Sequence, residues 1–244
     1  MPRIAIVSDI HGNLAALEAV AADIRTRGIE TVFNLGDSLS GPLLPQETAD
    51  FLIASGWPSL AGNHERQLLE QRPGRGAASD RHAAARLDAR AFDWIRSLPA
   101  VLRRDGLLLC HGTPDSDVDW LLERIAHGAL VVDDEVAILS RLRGEQARVV
   151  ACGHSHVPRL LRSAGGRLLL NPGSVGLQAY RGSQPLPYAV HGATPDARYA
   201  VLEQVGGAWQ AELLAVPYDH MRMARLAGRN GFPDWEVALA SGRA

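Results

Sequence analysis

Five short apolar runs in this 244-residue chain each lead into a side chain that can bind a metal ion. The residues concerned are Asp9, Asp37, Asn63, His111 and His154. Longer segments with helical spacing alternate with these runs, which is typical of a mainly α/β architecture. Ligand sites in open α/β sheets form outside the carboxyl ends of the strands. The pattern therefore predicts that the five side chains meet at one edge of the fold.

Taken singly, several of these motifs have ordinary explanations. Asp9 and His11 would face one side of an extended strand, but Asp9 or Asn13 could instead cap the helix that follows. Asp37 comes after a glycine, which is common turn chemistry. A lone histidine at a strand end, such as His111, is more often hydrogen-bonded than metal-bound. Both interpretations stay open for each of these motifs.

One segment indicates a metal site more directly. In Gly153-His154-Ser155-His156, two imidazoles separated by one residue follow a glycine turn. This is a metal-binding spacing that core packing does not require. By contrast, Gly62-Asn63-His64-Glu65 is typical of a turn when taken alone, although its Asn amide oxygen could bind a metal while the adjacent His faces a substrate. Counted together, the strand-end motifs favour a metal site over a set of unrelated turns.

The order of elements predicts one domain over residues 1–244, with a core to about residue 216 and a helical C-terminal tail over about 217–244. Strands are predicted at 4–8, 31–35, 59–61, 101–103, 107–110, 149–152, 160–162, 167–170, 188–190, 200–204 and 209–215. Helices are predicted from Leu14 to about Ile24, at 46–55, and over 65–98 with a flexible break at 72–78.

Composition limits the partners of the chain. Hydrophobic residues make up 46% and the formal net charge is -2, so we expect a globular protein that does not bind duplex nucleic acid. Cys110 and Cys152 are expected to be buried and reduced. With no signal peptide and no membrane-length apolar run, we expect a cytoplasmic protein without a membrane partner. The histidines outside the motifs are expected at the surface: His82, His127, His191 and His220.

In this order, the motifs resemble those of the calcineurin-like metallophosphoesterase superfamily. The segment Asn171-Pro172-Gly173-Ser174-Val175-Gly176 is similar to a loop of its small bacterial phosphodiesterase branch. The resemblance covers residues 3 to about 216. It implies an α/β (α+β) fold, a four-layered α-β-β-α sandwich of two mixed β-sheets. The loop Ser38-Leu39-Ser40-Gly41-Pro42 and Arg66 depart from the pattern of that branch.

The resemblance also implies a dinuclear centre of two divalent transition-metal ions. Manganese is expected first, with Fe, Ni, Co or Zn as alternatives. One ion would be held by Asp9, His11 and His156, the other by Asn63, His111 and His154, with Asp37 bridging the two. His64 would be the catalytic residue beside the substrate phosphate, and a bridging hydroxide would attack phosphorus.

The expected activity is metal-dependent hydrolysis of phosphate esters, chiefly as a phosphodiesterase on small soluble or nucleotide substrates. Alternatives are a dinucleoside polyphosphate hydrolase, a phosphomonoesterase or protein phosphatase, and a nuclease. A hypothesis of a different class is a non-catalytic metal-binding scaffold, although all eight site residues are retained. A homo-oligomer is left open. Substrate-binding residues are not assigned; surface or packing roles are favoured over substrate contact for Arg66, Arg181, Trp120, Tyr180 and Tyr188.

Overall fold

The computed structural model describes residues 3–70 and 76–244. Most of the predicted break at 72–78 lies outside these residues, and a helix begins at Ala78. The strands are β1 (Arg3–Val7), β2 (Thr31–Asn34), β3 (Val101–Arg104), β4 (Leu107–Cys110), β5 (Glu123–Ala126), β6 (Ala129–Val132), β7 (Val149–Ala151), β8 (Arg159–Arg162), β9 (Leu168–Asn171), β10 (Tyr180–Gly182), β11 (Tyr188–Val190), β12 (Ala197–Val205) and β13 (Ala208–Val216). The helices are α1 (Leu14–Thr26), α2 (Pro45–Ser55), α3 (Asn63–Leu69), α4 (Ala78–Ala84), α5 (Ala89–Ser97), α6 (Glu135–Arg141), α7 (His220–Arg229) and α8 (Pro233–Ser241).

Two mixed sheets carry the core. The first has the order β13-β12-β1-β2, with β1 parallel to β2 and antiparallel to β12. The second has the order β3-β4-β7-β9-β8, in which β4, β7 and β9 run parallel and both edge strands run antiparallel. Because parallel strands end on the same side of a sheet, the motifs after β1 and β2 emerge together, as do those after β4 and β7.

Alternation along the strands separates the layers. In β1, Ile4 and Ile6 pack between the two sheets against residues of β4 and β7, whereas Ala5 and Val7 pack on the other side against α1. In the second sheet, Cys110 faces outward with Ile138 of α6. Side chains of successive strand residues point to opposite faces, so one apolar run serves two cores. The predicted α-β-β-α sandwich of two mixed sheets is confirmed.

A small third sheet, with the order β10-β11-β6-β5, was not predicted. Its strands are three or four residues long, and of these only β11 was predicted, at 188–190. Two other predictions need correction. The strand at 59–61 is reduced to a single bridge between Asn34 and Ser59, and the described part of 65–98 holds three separate helices, α3, α4 and α5.

The C-terminal tail forms two helices, α7 and α8, that pack against one another and against Leu43 and Leu177. The Asn230 side chain also donates a hydrogen bond to the Pro42 carbonyl, 2.7 Å away. The tail therefore covers the loop 38–42, the segment that departs from the expected pattern. Among the described residues, no helix combines the length and the hydropathy needed to cross a bilayer.

Candidate metal centre

The predicted residues form two adjoining triads at the carboxyl ends of the strands. The site 1 triad is Asp9, His11 and His156, and the site 2 triad is Asp37, His111 and His154. Within each triad, the candidate ligand atoms lie within 4.8 Å of one another. The triads adjoin because His111 Nε2 lies 3.1 Å from Asp37 Oδ2 and 4.0 Å from Asp9 Oδ1. Asn63 joins site 2, with its Oδ1 3.2 Å from His111 Nε2.

The backbone at the triads is left-handed rather than extended. Asp9 and His11 have φ values of 55° and 53°, so the expectation that an extended strand aligns their side chains was wrong. Asp37, His154 and His156 share this conformation, which side-chain-bearing residues seldom adopt. Asp9 does not cap α1 either, because that role belongs to Asn13, whose Oδ1 accepts the Ala16 N–H. Such strain persists only where the surrounding structure fixes it, and it clusters at functional sites.

Two glycines let the motif loops approach closely. A Cβ on Gly62 would lie 2.3 Å from Asp37 Oδ1, and a Cβ on Gly153 would lie 2.0 Å from Ser8 Oγ. These distances are far below van der Waals contact, so a larger residue at either position would separate the loops. The glycines of Gly-Asn-His and Gly-His-Ser-His thus bring the two sheets together at this edge.

Each triad imidazole uses one ring nitrogen to bind a backbone carbonyl. The Nδ1 atoms of His11, His111 and His156 lie 2.8, 3.0 and 2.6 Å from the carbonyl oxygens of Ser40, Leu35 and Leu177, and His154 Nε2 lies 3.0 Å from that of Val118. A carbonyl only accepts, so these nitrogens carry the protons. The remaining nitrogen of a neutral ring then offers its lone pair to the triad, which is how histidines are held for metal binding.

The site 1 triad has the donor set of a cation site. His11 Nε2 and His156 Nε2 face one another at 3.1 Å. Burial, together with the neighbouring His156, lowers the pKa of His11 to about 3. Burial works against the charge on Asp9, but His156 and His111 outweigh it and lower the pKa of this carboxyl. Asp9 Oδ1 is buried without a hydrogen-bond donor. A divalent cation would satisfy this oxygen and both nitrogens, so the residues present fit a metal ion.

The site 2 triad differs from the site 1 triad because one of its histidines, His111, is held in the protonated form. Burial opposes a charge on His111, but Asp37 outweighs it and raises the pKa of His111 to about 10. The same contact holds the pKa of Asp37 well below its usual range, against the effect of burial. For His154, burial and the nearby His111 lower the pKa to about 4. A cation at site 2 would therefore take the place of a proton on His111.

Two acidic residues near the triads were missed as functional residues. Asp80 of α4 is fully buried and its Oδ1 lies 2.7 Å from His64 Nδ1. Burial opposes protonation of His64, but Asp37 and Asp80 raise its pKa to about 9. Glu65 accepts the backbone N–H groups of Asp37, Ser38 and Gly62 at 2.7 to 2.8 Å. Nothing near Asp80 in the sequence marks it, whereas Glu65 could have been suspected as the last residue of Gly-Asn-His-Glu.

The loop 171–176 joins the two halves of the centre. Asn171 Nδ2 donates to Gly153 O and to Ser155 Oγ, at 2.7 and 3.0 Å. Ser174 Oγ donates to the carbonyl oxygen of Asp9 at 2.7 Å. This loop therefore fixes the segment that bears His154 and His156 relative to the one that bears Asp9.

The side chains considered for substrate contact fall into different surroundings. Arg66 pairs with both carboxylate oxygens of Asp117, at 2.8 and 2.9 Å. Tyr180 packs against His156 with ring centroids 4.8 Å apart. Arg181 lines a cavity of about 560 Å³ beside α8. Trp120 and Tyr188 line another cavity, which includes His154.

The remaining predictions concern residues outside the triads. Cys110 and Cys152 are buried and free, as expected. His127 and His191 are exposed. The predicted surface position was wrong in part for His82 and His220. His82 is half-buried against Phe232, and His220 is half-buried with its Nδ1 3.2 Å from Leu239 O.

Comparisons with known proteins agree with this geometry. An uncharacterised protein of Methanocaldococcus jannaschii is 26% identical over 245 residues, covering 95% of this chain and 94% of the relative. A metallophosphoesterase from Sphaerobacter thermophilus superposes with a TM-score of 0.76 at 22% identity, covering 99% of both chains. A hypothetical protein from Pyrococcus horikoshii superposes with a TM-score of 0.71 at 18% identity over the full length of both. These structural likenesses show a shared fold.

The family model described as the calcineurin-like phosphoesterase superfamily domain matches residues 2–194. The match spans both triads and most of the chain, and it leaves the C-terminal helices α7 and α8 outside the matched range. A family of this kind implies divalent metal ions, for which the two triads supply candidate ligands. The chain belongs to the calcineurin-like phosphoesterase superfamily and is a phosphoesterase of the hydrolase class.

Proposed function

We propose that this protein is a phosphodiesterase that hydrolyses small phosphorylated substrates at a dinuclear metal centre. In this proposal Asp9, His11 and His156 hold one ion, Asn63, His111 and His154 hold the other, and Asp37 lies between them. The observation that carries the proposal is the set of four imidazoles, each tied to a backbone carbonyl by one nitrogen and directing the other toward a triad. Such preorganisation has a clear use in binding metal ions and little value for packing.

Divalent ions at these positions would polarise the phosphoryl oxygens and lower the pKa of bound water, so that water becomes a nucleophile near neutral pH. Imidazole, carboxylate and amide ligands together suit Mn, Fe, Ni, Co or Zn, and we propose Mn²⁺. Among the protein's own groups, Glu65 would hold the loops of Asp37 and Asn63 in place through its three backbone hydrogen bonds.

His64 is the proposed catalytic residue. Its side chain is 24% exposed, and its Nε2 lies 3.9 Å from Asp37 Oδ2. Against the effect of burial, Asp37 and Asp80 raise the pKa of its imidazole to about 9 in the metal-free protein, and Asp80, which belongs to neither triad, would still favour the protonated ring beside bound ions. The ring can therefore give a proton to the departing ester oxygen as the P–O bond breaks. Asp80, bound to Nδ1, would orient the ring so that Nε2 faces the substrate.

The substrate class and the location belong to the same proposal. A net charge of -2 does not favour a long polyanion, so a small phosphorylated molecule is the proposed substrate. We propose a cytoplasmic location, in keeping with two buried free cysteines. A homo-oligomer remains compatible with this activity.

The test is an assay of purified protein, stripped of metal with a chelator and reloaded with Mn²⁺, on bis-p-nitrophenyl phosphate and on the corresponding monoester. We expect turnover of the diester that depends on the metal, with two ions bound per chain by elemental analysis. Asp105→Asn, in an exposed turn remote from the triads, is the control. Two bound ions without turnover under any transition metal would overturn the phosphodiesterase proposal in favour of a scaffold.

A further inference from the structure

A cavity of about 940 Å³ opens beside the site 2 triad. His154 forms part of its wall, together with Trp120, Glu123 and Tyr188. The Val118 carbonyl that holds His154 Nε2 belongs to the same wall. The cavity has the volume of a small-molecule site. A group attached to a phosphate at the triads could enter it directly.

Two polar atoms of residues that line this cavity are buried without hydrogen-bond partners. They are Nε1 of Trp120, a donor, and Oε2 of Glu123. The other carboxylate oxygen of Glu123 accepts from Ser155 Oγ at 3.1 Å and lies 3.4 Å from Arg159 Nε. Glu123 is only 2% exposed. Buried polar groups are nearly always hydrogen-bonded in folded proteins. Two buried polar atoms without hydrogen-bond partners in one cavity wall therefore indicate that a polar ligand binds there.

The same wall offers aromatic surface. The Trp120 indole lies nearly parallel to the His154 ring, at 25° with centroids 6.4 Å apart, and the Tyr188 ring meets it edge-on at 5.1 Å. Trp120 is half-buried, so part of the indole remains free for contact. A flat ring with hydrogen-bonding edges would use both the indole and the two orphan atoms. An alkyl or phenyl group would cover the orphan atoms and leave them unpaired.

We propose that this cavity binds a nucleobase carried on one ester arm of the substrate, with Trp120 and Glu123 as the specificity-determining residues. This inference rests on the proposed phosphodiesterase function, because the phosphate at the triads is what places the arm in the cavity. The base packs against Trp120, and its polar edge pairs with Trp120 Nε1 and Glu123 Oε2 after these two side chains, whose polar atoms are enclosed in the structure, turn toward the cavity. Burial raises the pKa of Glu123 to about 7, so its carboxyl can accept or donate a hydrogen bond near neutral pH.

A second cavity, of about 560 Å³, provides an internal comparison on the other side of the centre. It lies between α8 and the start of α4, near the site 1 triad, since its Trp235 packs edge-on to His11 at 5.9 Å. None of the buried orphan atoms among the described residues belongs to its lining. This second cavity therefore lacks the unpaired buried polar atoms that indicate a nucleobase site. Because Trp235 lines it, a Trp235 variant tests whether the base binds there instead.

The test compares binding of adenosine 5′-monophosphate and ribose 5-phosphate to Mn²⁺-loaded protein by calorimetry, which needs no turnover. We expect adenosine 5′-monophosphate to bind roughly tenfold more tightly than ribose 5-phosphate, or better. This is the gain in affinity that stacking one base on an aromatic side chain provides. Trp120→Leu should abolish this advantage, Trp120→Phe should restore most of it, and Glu123→Gln should reduce it. Trp209→Leu, which alters a separate cavity beside β13, is the control that should leave it unchanged.

Equal affinity for the two phosphates in the wild-type protein would overturn the inference. So would loss of the advantage in Trp235→Leu but not in Trp120→Leu, because the base would then occupy the cavity beside α8. Thermal melts identify any variant that fails to fold, and the wild-type comparison and Glu123→Gln still decide the outcome. A protein that binds the base-bearing phosphate better, yet never turns over bis-p-nitrophenyl phosphate, would retain the cavity assignment while losing the phosphodiesterase proposal.

Discussion

The two triads are built from the same residue types but differ in proton content and exposure. In the site 1 triad all three side chains are buried, and the pKa of His11, lowered to about 3, keeps this ring neutral at neutral pH. In the site 2 triad His154 is only partly buried and His111 carries a proton, because Asp37 raises its pKa to about 10 against the effect of burial. Site 1 is thus ready for a cation, whereas site 2 must first lose a proton.

The surroundings of site 2 are also more open than those of site 1. Site 2 adjoins the larger cavity and the partly exposed ring of His154. Site 1 is closed by Trp235 from the C-terminal helix pair and by Tyr180. His64 lies beside both triads, with its Nε2 3.9 Å from Asp37 Oδ2 and its ring centroid 5.3 Å from that of His11. We infer that an ion at site 1 mainly anchors the centre, and that the reacting group approaches from the side of site 2. Each of the following predictions tests this division.

The largest effect is expected from removing the negative charge that the triads share. In Asp37→Asn, site 2 loses its only carboxylate and should lose its ion, while site 1 keeps Asp9 and should keep its own. We expect one ion per chain by elemental analysis and no turnover above background on bis-p-nitrophenyl phosphate. Asp9→Asn, the matched variant, should instead weaken site 1.

Asp105→Asn controls for the loss of one carboxylate elsewhere and should retain two ions and full turnover. If Asp37→Asn still bound two ions with unchanged affinity, Asp37 would not be shared between the sites. If Asp9→Asn and Asp37→Asn emptied both sites alike, the triads would act as one unit and the proposed division between them would fail.

The next largest effect is expected at His64, which lies beside Asp37 without belonging to either triad. Loss of a general acid lowers kcat by about a hundredfold or more, so His64→Ala should lose turnover on this scale while still binding two ions. The loss should be smaller for p-nitrophenyl esters than for alkyl esters, because a good leaving group needs less protonation. Steady-state kinetics on both ester types, with metal analysis, checks this.

Asp80→Asn tests the orientation of the same ring. The amide can still contact His64 Nδ1 but no longer holds it by a charged hydrogen bond, so we expect a loss of about tenfold, at the lower end of the range for partners that orient a reactive histidine. The pKa of His64, followed by NMR in metal-free protein, should fall from about 9 because one of the three carboxylates that raise it is gone. An unchanged pKa together with unchanged kcat would show that Asp80 does not position His64.

Metal binding should separate the triads by pH. The pKa of His111 is raised to about 10, so its proton is present at neutral pH and must leave when site 2 fills. Affinity at site 2 should therefore rise with pH, by about tenfold for each pH unit below that pKa. Site 1 should show little change, since His11 and Asp9 have already lost their protons. Calorimetry in buffers of different ionisation enthalpy should detect one proton released at site 2.

The layered fold was implied by the family resemblance, whereas the grouping of the candidate ligands could be predicted for a physical reason. Strand-end side chains converge wherever parallel strands of one sheet end together, so Asp9 could be placed near Asp37, and His111 near His154, without knowledge of the loops. The left-handed backbone at Asp9 and His11 could not be predicted, because the surrounding loops impose it. The assumed extended geometry led to the right pair of residues for the wrong reason.

Residues that contribute to the site through tertiary contacts could not be identified from the sequence. Asp80 lies 16 residues after His64 and meets it only because α4 packs against α3. Glu123 begins β5, a strand that was not predicted, and Trp235 belongs to a tail expected only as helix. These residues surround the centre, so the substrate contacts are harder to read from the sequence than the candidate metal ligands. That the chain forms a single domain over 1–244 stays a prediction.

The smallest effect is expected in thermal stability. A ligand present at a hundred times its Kd stabilises a fold by about 2.7 kcal/mol, which for a chain of this size corresponds to a rise in Tm of about 5–10 °C. Because Asp9 and His11 of site 1 have already lost their protons at neutral pH, the first equivalent of Mn²⁺ should give most of this rise. The second should add to it only as the pH increases toward the pKa of His111. Thermal melts of chelator-treated protein at increasing Mn²⁺, repeated with His156→Ala and His154→Ala, would measure both steps. A larger loss of the first step in His154→Ala than in His156→Ala would reverse the assignment of the anchoring site, since the first ion would then sit in the open triad.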